Sequence, residues 1–95
     1  MNDSESGLQQ RAFRVRGRVQ GVGFRWWTQR KALGLGLQGT VGNCVDGTVE
    51  IHVAGDAEAL DRFYNALQSG PVMARVDKVE DLRSVEDLPT GFEIV

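Results

Sequence analysis

Phe13-Arg14-Val15-Arg16-Gly17-Arg18-Val19-Gln20-Gly21-Val22-Gly23-Phe24-Arg25 changes its period partway along. From Phe13 to Val19, Phe13, Val15, Gly17 and Val19 face one way and Arg14, Arg16 and Arg18 the other, the alternation of a strand with one wet face. From Phe24 onward the spacing is helical: Phe24, Thr28, Lys31/Ala32 and Leu35 form a stripe flanked by Trp27. The two periods meet in a loop holding Gly21 and Gly23, with Arg25 just inside the helix. Glycines let successive N–H groups converge on one point. The first N–H groups of a helix lack internal partners, and the dipole makes that end electropositive. A cation at that end is unfavourable unless an anion sits between it and the helix. The loop therefore reads as a seat for a phosphate-sized anion, with Arg25 as its clamp. The three strand arginines read as a solvated sheet face rather than an anion-binding stripe, and both tryptophans as core packing.

Outward from this stretch, Gly36 is placed as the residue after the helix, with Leu37 packing back in Schellman fashion. Leu37 to Val45 reads as a strand and Asp46-Gly47 as a two-residue hairpin turn. In the return strand Val49, Ile51 and Val53 point inward, and Thr48, Glu50 and His52 outward. His52, the single histidine, is expected at the surface rather than in a catalytic role. Asp56 is a candidate N-cap for a second helix with Leu60, Phe63, Tyr64 and Leu67 on its apolar stripe. Gly70-Pro71 stops that helix. Arg75 to Val85 is a poorer strand, because Val76, Val79 and Leu82 do not keep a period of two, and a bulge or an irregular entry would explain it. Phe92 and Ile94 form a last short strand.

The order β-α-β-β-α-β plus a short fifth strand predicts an α+β, ferredoxin-like sandwich with both helices on one face of an antiparallel sheet. Residues 1–12 are expected as a disordered polar tail and residues 13–95 as one domain. In a split β-α-β unit the first two strands run parallel with the third between them, so the loop Gln20–Arg25 and Asn43 fall on one rim. From spacing alone, Asn43 reads as a residue that stabilises the hairpin turn rather than one that serves a site.

The bulk composition narrows the field. Ninety-five residues, 41% apolar and 25% charged, suit one soluble domain. A net charge of −2 supplies no general field for nucleic acid or anionic membrane. Cys44 is the only cysteine, so no internal disulfide is needed. No apolar run approaches the ~20 residues of a membrane span, and the polar N-terminus is no secretory signal. A cytoplasmic location is expected. No metal-ligand spacing occurs, and Asp46 belongs to a turn.

Two longer patterns carry a family resemblance. Gly17-x-Val19-Gln20-Gly21-Val22-Gly23-Phe24-Arg25 and Gly39-x-Val41-x-Asn43-x-x-Asp46-Gly47-x-Val49-Glu50 resemble the acylphosphatases. Gly55, Gly70-Pro71 and the closing Phe92-x-Ile94 fit as well. The resemblance runs from Phe13 nearly to the end. It implies hydrolysis of an acyl phosphate to a carboxylate and inorganic phosphate, without cofactor or metal. It also implies that Gln20, Gly21, Val22, Gly23 and Phe24 cradle the phosphate through their backbone. Arg25 matches the phosphate-binding arginine and Asn43 the asparagine that orients the attacking water. Thr40 stands where the family often has an aromatic and Gly42 where it often has a basic residue. A C-terminal tyrosine common in the family is missing.

Two other readings compete. A binding module could keep the anion seat without turnover, but it has no use for a water-aiming amide. An RNA-binding domain of this topology would need exposed aromatics on its strands, and this chain offers arginines there. The length also fits a free-standing monomer acting on a small molecule better than the acylphosphatase-like segment of a larger hydrogenase-maturation protein.

Overall fold

A computed structural model of the chain describes residues 8–83 and 87–95. Its strands are β1 (Gln9–Arg18), β2 (Gln38–Asn43), β3 (Val49–Gly55), β4 (Arg75–Leu82) and β5 (Phe92–Ile94), and its helices α1 (Phe24–Gly34) and α2 (Ala57–Ser69). The sheet order is β4-β1-β3-β2-β5, the ferredoxin-like arrangement with β3 between the parallel strands β1 and β2. β4, β1, β3 and β2 pair antiparallel. β5 instead pairs parallel with β2, through Gly39↔Phe92, Thr40↔Glu93 and Val41↔Ile94. The sheet is therefore mixed rather than wholly antiparallel as expected.

The apolar half of each amphipathic element meets between sheet and helices. Phe13, Val15, Val41, Val49, Ile51 and Val53 from the strands pack with Phe24, Ala32, Leu60, Phe63 and Leu67 from the helices, all buried. Ring contacts of Phe63 with Phe13 at 6.3 Å and with Phe92 at 6.4 Å tie α2 across the sheet. Each fully buried side chain of this size contributes roughly 1.5–3 kcal/mol of transfer free energy.

Helix ends follow local chemistry. α1 closes with Leu37 N–H donating to Ala32 O at 2.9 Å and Gly36 N–H to Leu33 O at 3.1 Å, the Schellman pair. Gly36 lies at φ 74 and Leu37 is buried. Asp56 occupies the N-cap position of α2, but its side chain makes no capping hydrogen bond.

Some sequence expectations shift. β1 reaches back to Gln9, so residues 9–12 are strand rather than tail. Gln9↔Gly55 and Gln10↔Ala54 extend the ladder with β3 through backbone groups that polar side chains do not reveal. Residues 1–7 of the expected tail lie outside the described residues, as does Val85 of the expected fourth strand. That strand ends at Leu82. Its broken period has the expected cause: Arg16 pairs with Lys78 and Gly17 with Val76, which leaves Asp77 as the extra residue of a bulge. The hairpin is longer than two residues. Gly47 N–H donates to Cys44 O at 3.1 Å and Cys44 N–H to Thr48 O at 2.8 Å, so Val45, Asp46 and Gly47 form the loop, with Gly47 at φ 92. His52 is only 8% exposed, because β3 is the central strand and its neighbours on the open face crowd the ring. Thr48 is buried too.

The strand arginines on that face are largely neutralised. Arg14 pairs with Glu50 at 3.2 Å and Arg16 with Glu80 at 3.1 Å. No helix among the described residues is long and apolar enough to cross a membrane.

Candidate active site

The end of β1 leads through Val19 and Gln20 into a loop whose path depends on two left-handed glycines, Gly21 at φ 75 and Gly23 at φ 77. Gly23 is also the N-cap of α1, with its carbonyl accepting from Trp27 N–H at 3.0 Å. It offers no side chain to cap the helix, and the first turn of α1 contains no acidic residue. The N–H groups from Gly21 to Trp26 find no acceptor among the described residues. An N–H nest at a helix N-terminus is the standard physical form of an anion site.

A cavity of about 170 Å³ opens over this nest, with Gly21, Gly23, Phe24 and Arg25 in its wall together with Val19, Trp26 and Ile94. Arg25 is half-buried in the first turn of α1 and has no acidic partner among the described residues. Its five N–H donors are thus free for a ligand. Val22 packs against the core instead. The side chain of Gln20 turns away from the cavity: its Nε2 donates to Cys44 O at 2.8 Å and to Thr48 O at 2.9 Å.

That double contact joins the loop to the β2–β3 hairpin. Asn43 is the last residue of β2, exposed, and paired with Val49, which also pairs with Val15 of β1. One row across the sheet therefore brings the ends of β1 and β2 to the same rim, as the split β-α-β order requires. Asn43 lies one residue from a carbonyl held by Gln20. It lines a separate cavity of about 230 Å³, shared with Thr40, Gly42, Cys44, Glu50 and His52. Val95 closes that cavity and sits over Gly42, where a Cβ would meet Val95 Cγ2 at 2.9 Å. The small residue at position 42 thus matches the backbone running alongside it, with Val95 N–H donating to Val41 O at 2.9 Å.

The hairpin is braced by charge. Asp46 Oδ1 accepts from the Thr48 hydroxyl at 2.6 Å and from Thr48 N–H at 3.0 Å, and these bonds lower the Asp46 pKa. Glu50 Oε2 contacts His52 Nε2 at 2.7 Å, and this bond, followed by Arg14, holds the Glu50 carboxyl below its usual range. The Cys44 thiol lies 3.9 Å from the other Glu50 oxygen. No cluster of three metal-ligating side chains occurs among the described residues.

Sequence reasoning did not single out Val19, Trp26 or Ile94 as parts of the cavity wall. The expectation of Trp26 as core packing fails: the residue sits off the Phe24–Thr28–Ala32 stripe, which faces the core. It is 59% exposed, whereas Trp27 packs partly into the core as expected.

Fold and rim together define a class: an α+β sandwich that presents a glycine-built, electropositive N–H cradle at one end of its sheet. A sequence model of the family described as Acylphosphatase matches residues 11–94, and the chain belongs to that family. It is 50% identical over 80 residues to the acylphosphatase of Thermobifida fusca, covering 83% of this chain and 88% of that one. Its structure superposes on an acylphosphatase from Coxiella burnetii with a TM-score of 0.91 at 30% identity, covering both chains fully. The match to the acylphosphatase from Bacillus subtilis has a TM-score of 0.80 at 41% identity, over 93% of this chain and 98% of that one.

Proposed function

We propose that this chain hydrolyses acyl phosphates to a carboxylate and inorganic phosphate, with the β1–α1 loop as phosphate seat. The carrying observation is the row of N–H groups from Gly21 to Trp26, without acceptors among the described residues and with Arg25 in the wall of the cavity above them. The backbone of Gln20, Gly21, Val22, Gly23 and Phe24 and the guanidinium of Arg25 bind the phosphoryl oxygens. Arg25 forks onto two of them while N–H groups hold the third.

Asn43 aims the attacking water. The water oxygen forms a bond to phosphorus as the bond from phosphorus to the acyl oxygen breaks. The electron pair of that bond leaves on the carboxylate, and the water proton passes to a phosphoryl oxygen. The leaving group's conjugate acid has a pKa of about 4, so no general acid is required. A loose phosphoryl-transfer transition state asks chiefly for charge stabilisation and in-line placement. These demands are met without histidine, cysteine or carboxylate chemistry. We place the enzyme in the cytoplasm as a monomer acting on free small molecules, a reading supported by its single cysteine.

Benzoyl phosphate hydrolysis by the purified chain tests the proposal. Turnover is expected in the presence of a chelator, with inorganic phosphate as competitive inhibitor. Arg25→Ala removes a well-aimed charged donor, which at such sites costs about 3–4 kcal/mol of barrier, and weakens phosphate inhibition. Asn43→Ala lowers kcat while leaving phosphate inhibition nearly intact. Absence of wild-type turnover above background, or full activity in both variants, overturns the assignment. Phosphate binding without turnover would point instead to a binding module.

A further inference from the structure

The cradle occupies only part of the concave surface around the start of α1. A larger cavity of about 380 Å³ runs along that helix, lined by Trp26, Trp27, Arg30, Lys31, Gly34 and Leu35. Its volume lies in the ~300–1,000 Å³ range of small-molecule pockets. Trp26 belongs to the walls of both this groove and the phosphate cradle. An acyl group attached to a seated phosphate has to extend over the cradle wall, and Trp26 is where that wall meets the groove.

The groove has a distinct chemistry. The Arg30 guanidinium lies 4.9 Å from the Trp26 ring centre, and the Lys31 ammonium 5.8 Å from that of Trp27. Neither cation has an acidic partner among the described residues. Most other arginines on the molecule do, including Arg11, Arg14, Arg16, Arg62 and Arg75. Two cations are thus held on indole faces beside an exposed aromatic wall. Beyond Gly34 and Leu35 the next hollow holds Asp56, Glu58 and Arg62, with Arg62 paired to Glu58 at 3.0 Å. An anionic group is therefore attracted along α1 to Arg30 and Lys31, the cations of this face without acidic partners among the described residues.

We propose that this groove receives the acyl half of the substrate and selects short acyl phosphates that carry a second anion at the end remote from the phosphate. The carbon body of such a group lies against Trp26, and its remote anion is held by Arg30 and Lys31. The inference rests on the acyl phosphate hydrolysis proposed above and specifies its substrate class.

Two rigid substrates of matched length separate the charge effect from everything else: 4-carboxybenzoyl phosphate and 4-methylbenzoyl phosphate. The readout is the ratio of their kcat/KM values in the wild type and in the Arg30→Gln/Lys31→Gln double variant. Both side chains are exposed on α1, so the double variant is expected to fold, and a ratio within one protein cancels any change in the amount active. The wild type is expected to favour the carboxylated substrate about three- to tenfold at low salt, the scale of two partly screened ion pairs. The preference falls as ionic strength rises and approaches unity in the double variant, mainly through KM. Equal use of both substrates by the wild type, or a preference that survives the double substitution, overturns the groove assignment while leaving hydrolysis intact. Hydrolysis of neither substrate overturns the acyl phosphate reading and this inference with it.

Discussion

Gln20→Met tests whether the clasp between cradle and hairpin matters, because methionine keeps the side chain's length and removes the amide that makes it. Gln20 Nε2 donates to Cys44 O at 2.8 Å and to Thr48 O at 2.9 Å. Neither carbonyl is orphaned by the change: Cys44 O still accepts from Gly47 N–H and Thr48 O from Cys44 N–H. The full penalty for an unsatisfied buried acceptor therefore does not apply. Two neutral hydrogen bonds at about 0.5–1.5 kcal/mol each give an expected loss of about 1–3 kcal/mol. For a domain of this size that lowers Tm by roughly 4–24 °C.

The kinetic effect should exceed what stability alone predicts. Without the clasp, the hairpin that ends β2 at Asn43 can drift relative to the phosphate seat, and a displacement of about 1 Å at a reacting centre can cost up to about a hundredfold in rate. Measured below its Tm, Gln20→Met is expected to lose tenfold or more in kcat, with phosphate inhibition changed far less. Gln20→Glu should be worse on both counts, since it sets a carboxylate against two carbonyl oxygens and adds a negative charge beside the seat. Thermal denaturation followed by circular dichroism and steady-state benzoyl phosphate hydrolysis give the two readouts. A Gln20→Met protein with wild-type Tm and kcat would refute the clasp.

Two further outcomes follow from the geometry. Gly39→Ala should prevent folding or remove at least about 3 kcal/mol, because an added Cβ would drive into His52 O of the neighbouring strand at a position with φ 150; a cooperative unfolding transition near the wild-type Tm would contradict this. Stability should fall on acidification, since Glu50 is held below its ordinary pKa by His52 and Arg14. Its contribution is present above the unfolded value of about 4.3 and is lost as pH drops through the lower folded value. Because Glu50 and Arg14 are each about one-third exposed, solvent screening trims that contribution to on the order of 1 kcal/mol. Glu50→Gln should flatten the acid limb of urea midpoints measured between about pH 3 and pH 6, and an unchanged acid limb would show that the pairing adds nothing.

Features encoded by neighbouring residues were legible in the sequence, and features set by distant partners were not. Gly36 and Leu37 announced the end of α1 because the Schellman bonds span only six residues. The phase slip between Val76 and Val79 announced the Asp77 bulge, since both valines face the same side of β1, opposite Gly17 and Val15. By contrast, the parallel pairing of β5 with β2 joins segments about fifty residues apart, and three residues carry no period from which to read a direction. Alternation assigned His52 to the correct face but not its burial, which depends on β3 being central. At the site, the two family motifs pointed to the loop and to Asn43. The contact that joins them, Gln20 to the hairpin carbonyls, is between a side chain and backbone groups, and carbonyls leave no trace in sequence.

The glycines of those motifs divide into two physical kinds, and the division separates scaffold from site. At Gly17 and Gly39 a Cβ would collide with backbone of the adjoining strand, at Arg75 O and His52 O. These two let strands approach, and they lie within the sheet. At Gly21 and Gly23 a Cβ would meet nothing within 4 Å. Space does not demand glycine there; the left-handed backbone does, at about 1–2 kcal/mol for any other residue. That backbone is what turns successive N–H groups toward one point rather than along a ladder. A loop that merely connected β1 to α1 would have no reason to accept conformations so unfavourable to side chains, nor to leave six N–H groups without acceptors beside an arginine. The same loop sits at the rim, where the ends of the parallel strands β1 and β2 leave backbone unpaired and free to take a ligand, while the core that stabilises the sandwich lies between sheet and helices. The site can thus carry strained and unsatisfied groups because the fold's stability resides elsewhere.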